Sequence, residues 1–256
     1  MSFAVLGCSG NAEKAAKTDD AESEEASKEM PGMKGLEEGS REWARAKLAR
    51  NNLRMIGLAT GNFLDQIDSY PFPGGARFLP DNLRGMVSWR VHLLPFADQS
   101  RLIDQFETEQ PWDSNVNKPY IDQMPAIYEL NEETKPGHSQ FVAPAGPGFI
   151  VEGDTARSPR DVKDDLATTI VLVTVKPEHA QLWTKPGGLK IDPEKAADIL
   201  GGDPNGFLAM FADGSIRTLD PKMDPAILKA LLTVAGGEKI DASQLPGTDY
   251  PALDIP

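Results

Sequence analysis

Residues 206–219 read Gly-Phe-Leu-Ala-Met-Phe-Ala-Asp-Gly-Ser-Ile-Arg-Thr-Leu. Two apolar-rich runs flank Asp213-Gly214, and Asp-Gly is a preferred filler of a two-residue hairpin turn. Such a turn holds both central residues at φ > 0, which Gly tolerates freely and Asp better than most residues. With Asp213 and Gly214 at the tip, Phe211 faces Ile216, Leu208 faces Leu219 and Met210 faces Arg217. Apolar side chains then leave both faces of the ribbon, so the hairpin is expected inside the molecule and covered on both sides. Asp213 and Gly214 serve the turn, while Phe207, Leu208, Phe211, Ile216 and Leu219 serve the core.

A buried hairpin needs further strands beside it and helices over it. Thr168-Thr-Ile-Val-Leu-Val-Thr-Val175 is continuous, β-branched and apolar, the pattern of a strand in the middle of a sheet. Gln140-Phe-Val-Ala-Pro144 reads as another strand, Leu182-Trp-Thr-Lys-Pro186 as an extended segment, and Val87-Ser-Trp-Arg-Val-His-Leu-Leu94 as a strand or a short helix. A long helix is expected from Ser40, its N-cap, with Glu42 in the first turn. Ala46, Ala49, Leu53, Ile56, Thr60 and Phe63 recur at alternating spacings of three and four, and Leu48, Met55 and Leu58 form a second apolar strip. Arg41, Arg45, Lys47, Arg50 and Arg54 make the other side a solvated basic face. Residues 225–234 form a second helix with Asp224 as its N-cap, stopped by Gly236-Gly237. The expected fold is therefore α+β: an N-terminal helix packed on a mainly antiparallel β-sheet, with long Pro/Gly-rich loops such as Tyr70-Pro-Phe-Pro-Gly-Gly75.

The ends of the chain differ from this middle. The start, Met-Ser-Phe-Ala-Val-Leu-Gly-Cys-Ser-Gly, closes an apolar stretch on Val5-Leu6-Gly7-Cys8 and resembles a bacterial lipobox, in which the cysteine receives lipid. Residues 11–40 carry nine acidic residues and four lysines with almost no large apolar ones, the composition of a disordered, solubilising tether. The chain thus divides into a lipobox-like segment over 1–10, an acidic tether over 11–40, one α+β domain over 41–246 and a C-terminal tail over 247–256. Cys8 is the only cysteine, so no intrachain disulfide can form. No run approaches the roughly 18 apolar residues of a membrane-spanning helix. A net charge of −13 argues against nucleic acid as a partner, because phosphate recognition rewards clustered Lys and Arg.

Six short motifs occur in order. They are Asn51-Asn-Leu-Arg-Met-Ile-Gly-Leu58, Ser88-Trp-Arg-Val-His-Leu-Leu-Pro95, Pro111-Trp-Asp-Ser114, Trp183-Thr-Lys-Pro186, Phe211-Ala-Asp-Gly-Ser215, and Ala230-Leu-Leu-Thr233 followed by Gly236-Gly-Glu238. Together, over about residues 41–245, they resemble the planctomycete family called "domain of unknown function 1559". Asn51, Asn52, Trp89, Pro95, Trp112, Trp183, Asp213, Gly214, Gly236 and Gly237 are the positions that carry the resemblance. It implies a pilin- or pseudopilin-like domain, and the same family has been labelled solute-binding. Members usually begin with a prepilin leader and a long apolar helix. This sequence has the lipobox-like start and acidic stretch there, so a filament role is not expected. Many members also carry a His ten positions before the Asp of the Asp-Gly turn, where this chain has Asp203.

Catalytic chemistry finds little support. His92, His138 and His179 lie in unrelated segments without metal-ligand spacing, and no Gly-x-Ser-x-Gly elbow, phosphate loop or dinucleotide fingerprint occurs. His92 alternates with apolar residues, as a hydrogen-bonded structural histidine does. Asp203, Asn205 and Asp213 could line a cation site, although Asp-Pro-Asn-Gly is first a turn sequence. Trp89, Trp112 and Trp183 could shelve a ligand or pack a core. The expectation is a non-catalytic domain without cofactor, on the periplasmic or outer side of the cell envelope. It meets a protein partner there and touches membrane only through lipid on Cys8. The alternative is an extracytoplasmic solute-binding protein.

Overall fold

The computed structural model describes residues 38–74, 80, 82–130 and 134–252. The lipobox-like segment with Cys8, most of the acidic stretch and Gly75 of the Pro/Gly loop lie outside the described residues. Helix α1 (Glu38–Ile67) runs for 30 residues. Ala46, Ala49, Leu53, Ile56, Thr60 and Phe63 are buried along one side of it, as a stripe of alternating three and four spacing requires. Ser40 lies within the first turn and is not the N-cap, because the helix already includes Glu38. The second strip does not form. Met55 and Leu58 are 46% and 40% exposed, since a rotation of about 100° per residue carries them to the far side from Leu53 and Ile56. Asn52 and Ala59 fill the flank of the buried stripe instead. Asp68, at φ 50, closes the helix in a left-handed turn, and its N–H reaches Leu64 O at 2.8 Å.

Two single-turn helices follow, α2 (Trp89–His92) and α3 (Ser100–Ile103), so the segment expected as strand or short helix is helical. Ser88 caps α2 with its hydroxyl, accepting from Arg90 N at 3.1 Å. The short strands β1 (His138–Ser139), β2 (Phe141–Val142) and β3 (Pro144–Ala145) precede the central β4 (Ile170–Thr174). Then come β5 (Gln181–Leu182), β6 (Leu189–Lys190), α4 (Ala196–Ile199), β7 (Gly202–Asp203), β8 (Gly206–Phe211) and β9 (Ile216–Leu219). Helix α5 (Pro225–Leu232) and β10 (Thr248–Tyr250) complete the order. The segment expected to be extended from Leu182 instead turns after β5, where Lys185 N donates to Leu182 O.

The main sheet is antiparallel in the order β10-β9-β8-β4-β2, and β7 pairs with the start of β8. It is covered on both faces, which is why β4 and β8 read as continuous apolar runs. Leu208, Met210, Leu172 and Ile216 join α1 and the aromatic residues near α2 in one cluster. Phe207, Ala209, Phe211 and Val173 join Leu228, Leu231 and Leu232 of α5 in the other. Asp224 caps α5 as expected, accepting from Ala226 N at 2.8 Å. The helix, however, ends at Leu232, with Thr233 already extended, before Gly236-Gly237. Those two glycines send their N–H groups to the Asp164 carboxylate at 2.8 and 2.9 Å, so they tie a loop and do not stop the helix.

The hairpin forms where expected, but its register is shifted by one residue and its loop is one residue longer. Met210 pairs with Ile216, Ala209 with Arg217, Leu208 with Thr218 and Phe207 with Leu219. Phe211 N donates to Ser215 O, and Gly214 N to Phe211 O, both at 2.9 Å, leaving a three-residue loop of Ala212, Asp213 and Gly214. Only Gly214 takes the left-handed conformation, at φ 76. Asp213 instead accepts from Ser215 N at 2.9 Å, an Asx-type bond that holds the loop without a second positive φ.

Candidate functional site

The motif residues around α2 build a filled core. Trp89 and Trp183 are fully buried, and Trp112 packs half-buried against the same cluster. Trp89 meets Phe72 and Tyr128 edge-on at 5.2 and 6.2 Å, Tyr128 stacks on Trp183 at 6.2 Å, and Trp183 meets Phe106 edge-on at 5.7 Å. The Trp183 indole donates to Ile121 O at 2.8 Å. These rings occupy one another's faces, which leaves no shelf for a ligand. Pro95 opens the short 3-10 turn Leu94–Ala97 that follows α2.

Arg90 sits inside this core with no exposed surface. Its guanidinium lies 4.4 Å from the centre of the Trp89 ring, donates to Ser88 Oγ at 3.3 Å and donates to Phe141 O. Tyr128 donates its hydroxyl to Arg90 O at 2.8 Å. Burial lowers the Arg90 pKa to about 9, so it remains a cation at neutral pH, held by backbone carbonyl and ring rather than by a carboxylate. Burial likewise pushes the His92 imidazole down to about 4, and its Nε2 finds no hydrogen-bond partner among the described residues. His92 is thus a neutral packing residue, not the hydrogen-bonded one expected.

The motif asparagines do different work. Asn52 is buried and donates from Nδ2 to Ala126 O and Glu129 O at 3.0 and 2.8 Å, clamping the Ala126–Tyr128 turn onto α1. Asn51 faces out and accepts from the Tyr250 hydroxyl. Asn117, which no sequence pattern marked, is fully buried; it donates to Glu107 O, Gln110 O and Pro111 O within 3.1 Å and organises the turn carrying Trp112.

Asp203, Asn205 and Asp213 do not come together as an oxygen cluster, and the turn reading of Asp203–Gly206 holds, with Asn205 N donating to Asp203 Oδ1 at 3.0 Å. Asp203 and Asp213 sit at opposite ends of β8, a separation of roughly 17–20 Å for a six-residue strand. Among the described residues no three His, Cys, Asp or Glu side chains come together. Asp203 instead meets α1. Arg50 Nη2 lies 2.8 Å from the buried Asp203 Oδ2 and 3.2 Å from Thr218 Oγ1, and Arg50 Nε lies 3.3 Å from Asp249 Oδ1. Arg54 donates to Gly214 O at 3.3 Å and to Pro251 O at 2.7 Å. Two residues of the helix face expected to be solvated therefore stitch α1 to the hairpin and to β10. Sequence reading missed them because their partners lie about 150 to 200 positions away.

On either side of the Asp203-Pro204-Asn205 turn an open groove runs along the first turns of α1. One, of about 460 Å³, is lined by Trp43, Lys47, Arg50, Pro204 and Asn205; the other, of about 280 Å³, by Arg45, Leu130, Pro177 and Asp203. Trp43 is 65% exposed, with Lys47 Nζ 5.1 Å from the ring centre. Trp43, Met55 and Leu58 are exposed on the outer side of α1, and Asn51 and Arg54, which hold Tyr250 and Pro251, lie between them along the helix.

Residues 39–165 match the family described as "Protein of unknown function (DUF1559)". These residues belong to the DUF1559 family. The DUF1559 span contains α1, the Asn51-Asn52 pair, α2 with Trp89 and Arg90, and the Trp112 turn. Trp183, the Asp213-Gly214 hairpin and Gly236-Gly237 lie beyond it, so the family match is shorter than the run of motifs. No curated protein and no solved structure matches the chain. No described helix is long and apolar enough to cross a membrane.

Proposed function

We propose that this chain is a non-catalytic domain of the cell envelope, anchored through lipid on Cys8, that offers the outer side of α1 to a protein partner. The observation that carries the reading is the exposure of Trp43, Met55 and Leu58 together on one helix side while Trp89 and Trp183 are consumed by packing. Exposed aromatic and methionine side chains flanked by polar groups are the composition of a contact surface. The adjacent groove of about 460 Å³ supports the second reading, an anionic or aromatic small solute held by Trp43 and Lys47.

A photo-crosslinking side chain at position 58 of the full chain, expressed in cells, is expected to trap one discrete protein. Trp43→Ala with Met55→Ser should abolish that adduct and leave the melting temperature unchanged. Absence of any adduct, or one indifferent to those substitutions, overturns the contact reading. A specific, reproducible thermal stabilisation by one class of sugar, amino acid or anion would favour the solute reading instead. Fatty-acid labelling that is absent on wild type, or equal on Cys8→Ala, removes the anchor.

A further inference from the structure

Strand β10 is attached to the molecule mainly by polar contacts at the surface. Thr248 and Asp249 are exposed and Tyr250 half-buried, in contrast to β4, which is buried throughout. Its pairing with β9 covers three residues and slips register between Thr248 and Tyr250. The remaining bonds are to side chains that α1 and β9 present as a row. Asp249 pairs with Arg50 at 3.3 Å and accepts from Thr218 at 2.7 Å. Tyr250 donates to Asn51 and lies 5.8 Å below the Arg54 guanidinium, and Arg54 also holds Pro251 O. Arg217 donates to Pro246 O just upstream. Among the described residues, three arginines thus converge on one short acidic–aromatic strand.

We propose that β10 is an exchangeable strand: the β9 edge with Arg50, Asn51 and Arg54 is an acceptor site, filled by the Thr248–Tyr250 segment of a second copy when copies are crowded. The occupant follows from complementarity, since the site's charges and hydrogen-bond groups already match Asp249, Tyr250 and the Pro251 carbonyl of this segment. Release exposes little apolar surface, because Tyr250 alone of β10 packs on the core. The connection over 235–247 is largely exposed; once Gly236 and Gly237 leave Asp164 and the half-buried Ile240 and Leu245 leave the α5 core, it reaches at most roughly 45 Å when extended, enough to place β10 on a neighbour. A freed β9 edge offers unpaired backbone groups that take a strand in the manner of β-augmentation. The tethered strand competes at an effective concentration on the order of millimolar, so exchange requires copies held close together. This goes beyond the α1 contact surface and can fail without it.

The test uses the full chain carrying Asp249→Lys and Tyr250→Ala, which disables its own strand, and a fluorescent peptide of residues 246–256. The wild-type peptide is expected to bind this chain at least about tenfold more tightly than the wild-type chain, and more weakly as salt rises. A peptide carrying Asp249→Lys, or a chain that also carries Arg54→Ala, should lose the binding. No binding to a folded chain, or equal binding to wild type, overturns the acceptor site. Should the substituted chain not fold, amide exchange on wild type decides: Thr248–Tyr250 must exchange well before Leu208–Met210, and equal protection overturns the proposal. Concentrated wild-type chain should form dimers by light scattering that excess peptide dissociates; peptide binding without such dimers overturns the second copy as occupant.

Discussion

Arg90 shows how a motif residue can be essential without touching solvent. A buried guanidinium loses hydration that its carbonyl, hydroxyl and ring contacts must replace, and removing it strands Phe141 O as well as opening a cavity. Arg90→Ala is therefore expected to cost roughly 3–5 kcal/mol in urea unfolding. Arg90→Lys should recover less than half of that, because an ammonium cannot lie flat on Trp89 while bridging Ser88 and Phe141. A lysine variant as stable as wild type would show that charge alone is needed. His92 gives the molecule a pH dependence. Its folded pKa of about 4 lies below the ordinary 6.5, so between these values the unfolded chain binds a proton that the native state refuses. Stability from this residue is complete above about pH 6.5 and falls as pH drops toward 4, by up to roughly 3 kcal/mol. His92→Gln should flatten the wild-type decline across that window, measured by denaturant midpoints at each pH; parallel curves would contradict it.

Among the elements, the β8–β9 hairpin places the strictest demand on backbone conformation. Gly214 stands at φ 76, where a β-branched residue is strained, and Gly206 at φ 144, where an added Cβ would lie 2.1 Å from Leu219 O. Gly214→Ala is expected to cost about 1–2 kcal/mol and Gly214→Val about 3 kcal/mol, a melting decrease of roughly 6–12 °C for the latter. Gly206→Ala should be worse than Gly214→Ala, since a backbone carbonyl and not a flexible side chain must move. Calorimetry of the three variants gives the order, and a wild-type melting temperature for Gly214→Val would refute this turn geometry.

At the scale of the whole molecule the sheet separates two cores, one under α1 and one under α5. Leu53→Ala and Leu231→Ala remove fully buried side chains on opposite faces. Each is expected to cost about 2–5 kcal/mol, and their effects should add within about 0.5 kcal/mol because no partner is shared across the sheet. One common unfolding transition, seen in both variants by calorimetry and far-UV dichroism, would follow from the shared strands β4 and β8. Two separated transitions would mean that the α5 layer is an independent unit.

Much of this architecture is legible in the chain itself. The apolar run through β4, the stripe of α1 from Ala46 to Phe63, the Asp224 cap and the buried Asp-Gly hairpin all follow from local periodicity and turn chemistry, and so does the α+β class. The ordered motifs likewise pointed to the DUF1559 family. What tertiary structure alone decided is the pairing of groups far apart in sequence. The hairpin register turned on whether one or two residues take positive φ, a choice that the Asp213–Ser215 bond makes locally but the apolar pattern does not reveal. Arg50 and Arg54 looked like solvated helix residues because nothing near them predicts Asp203, Asp249 or Pro251. Trp43 differs from Trp89 and Trp183 by what the fold places over it: among the described residues no ring packs on Trp43, and the other two are enclosed. Burial is a property of the assembled layers, so the division between core aromatics and contact aromatics, and with it the candidate site, exists only once those layers have packed.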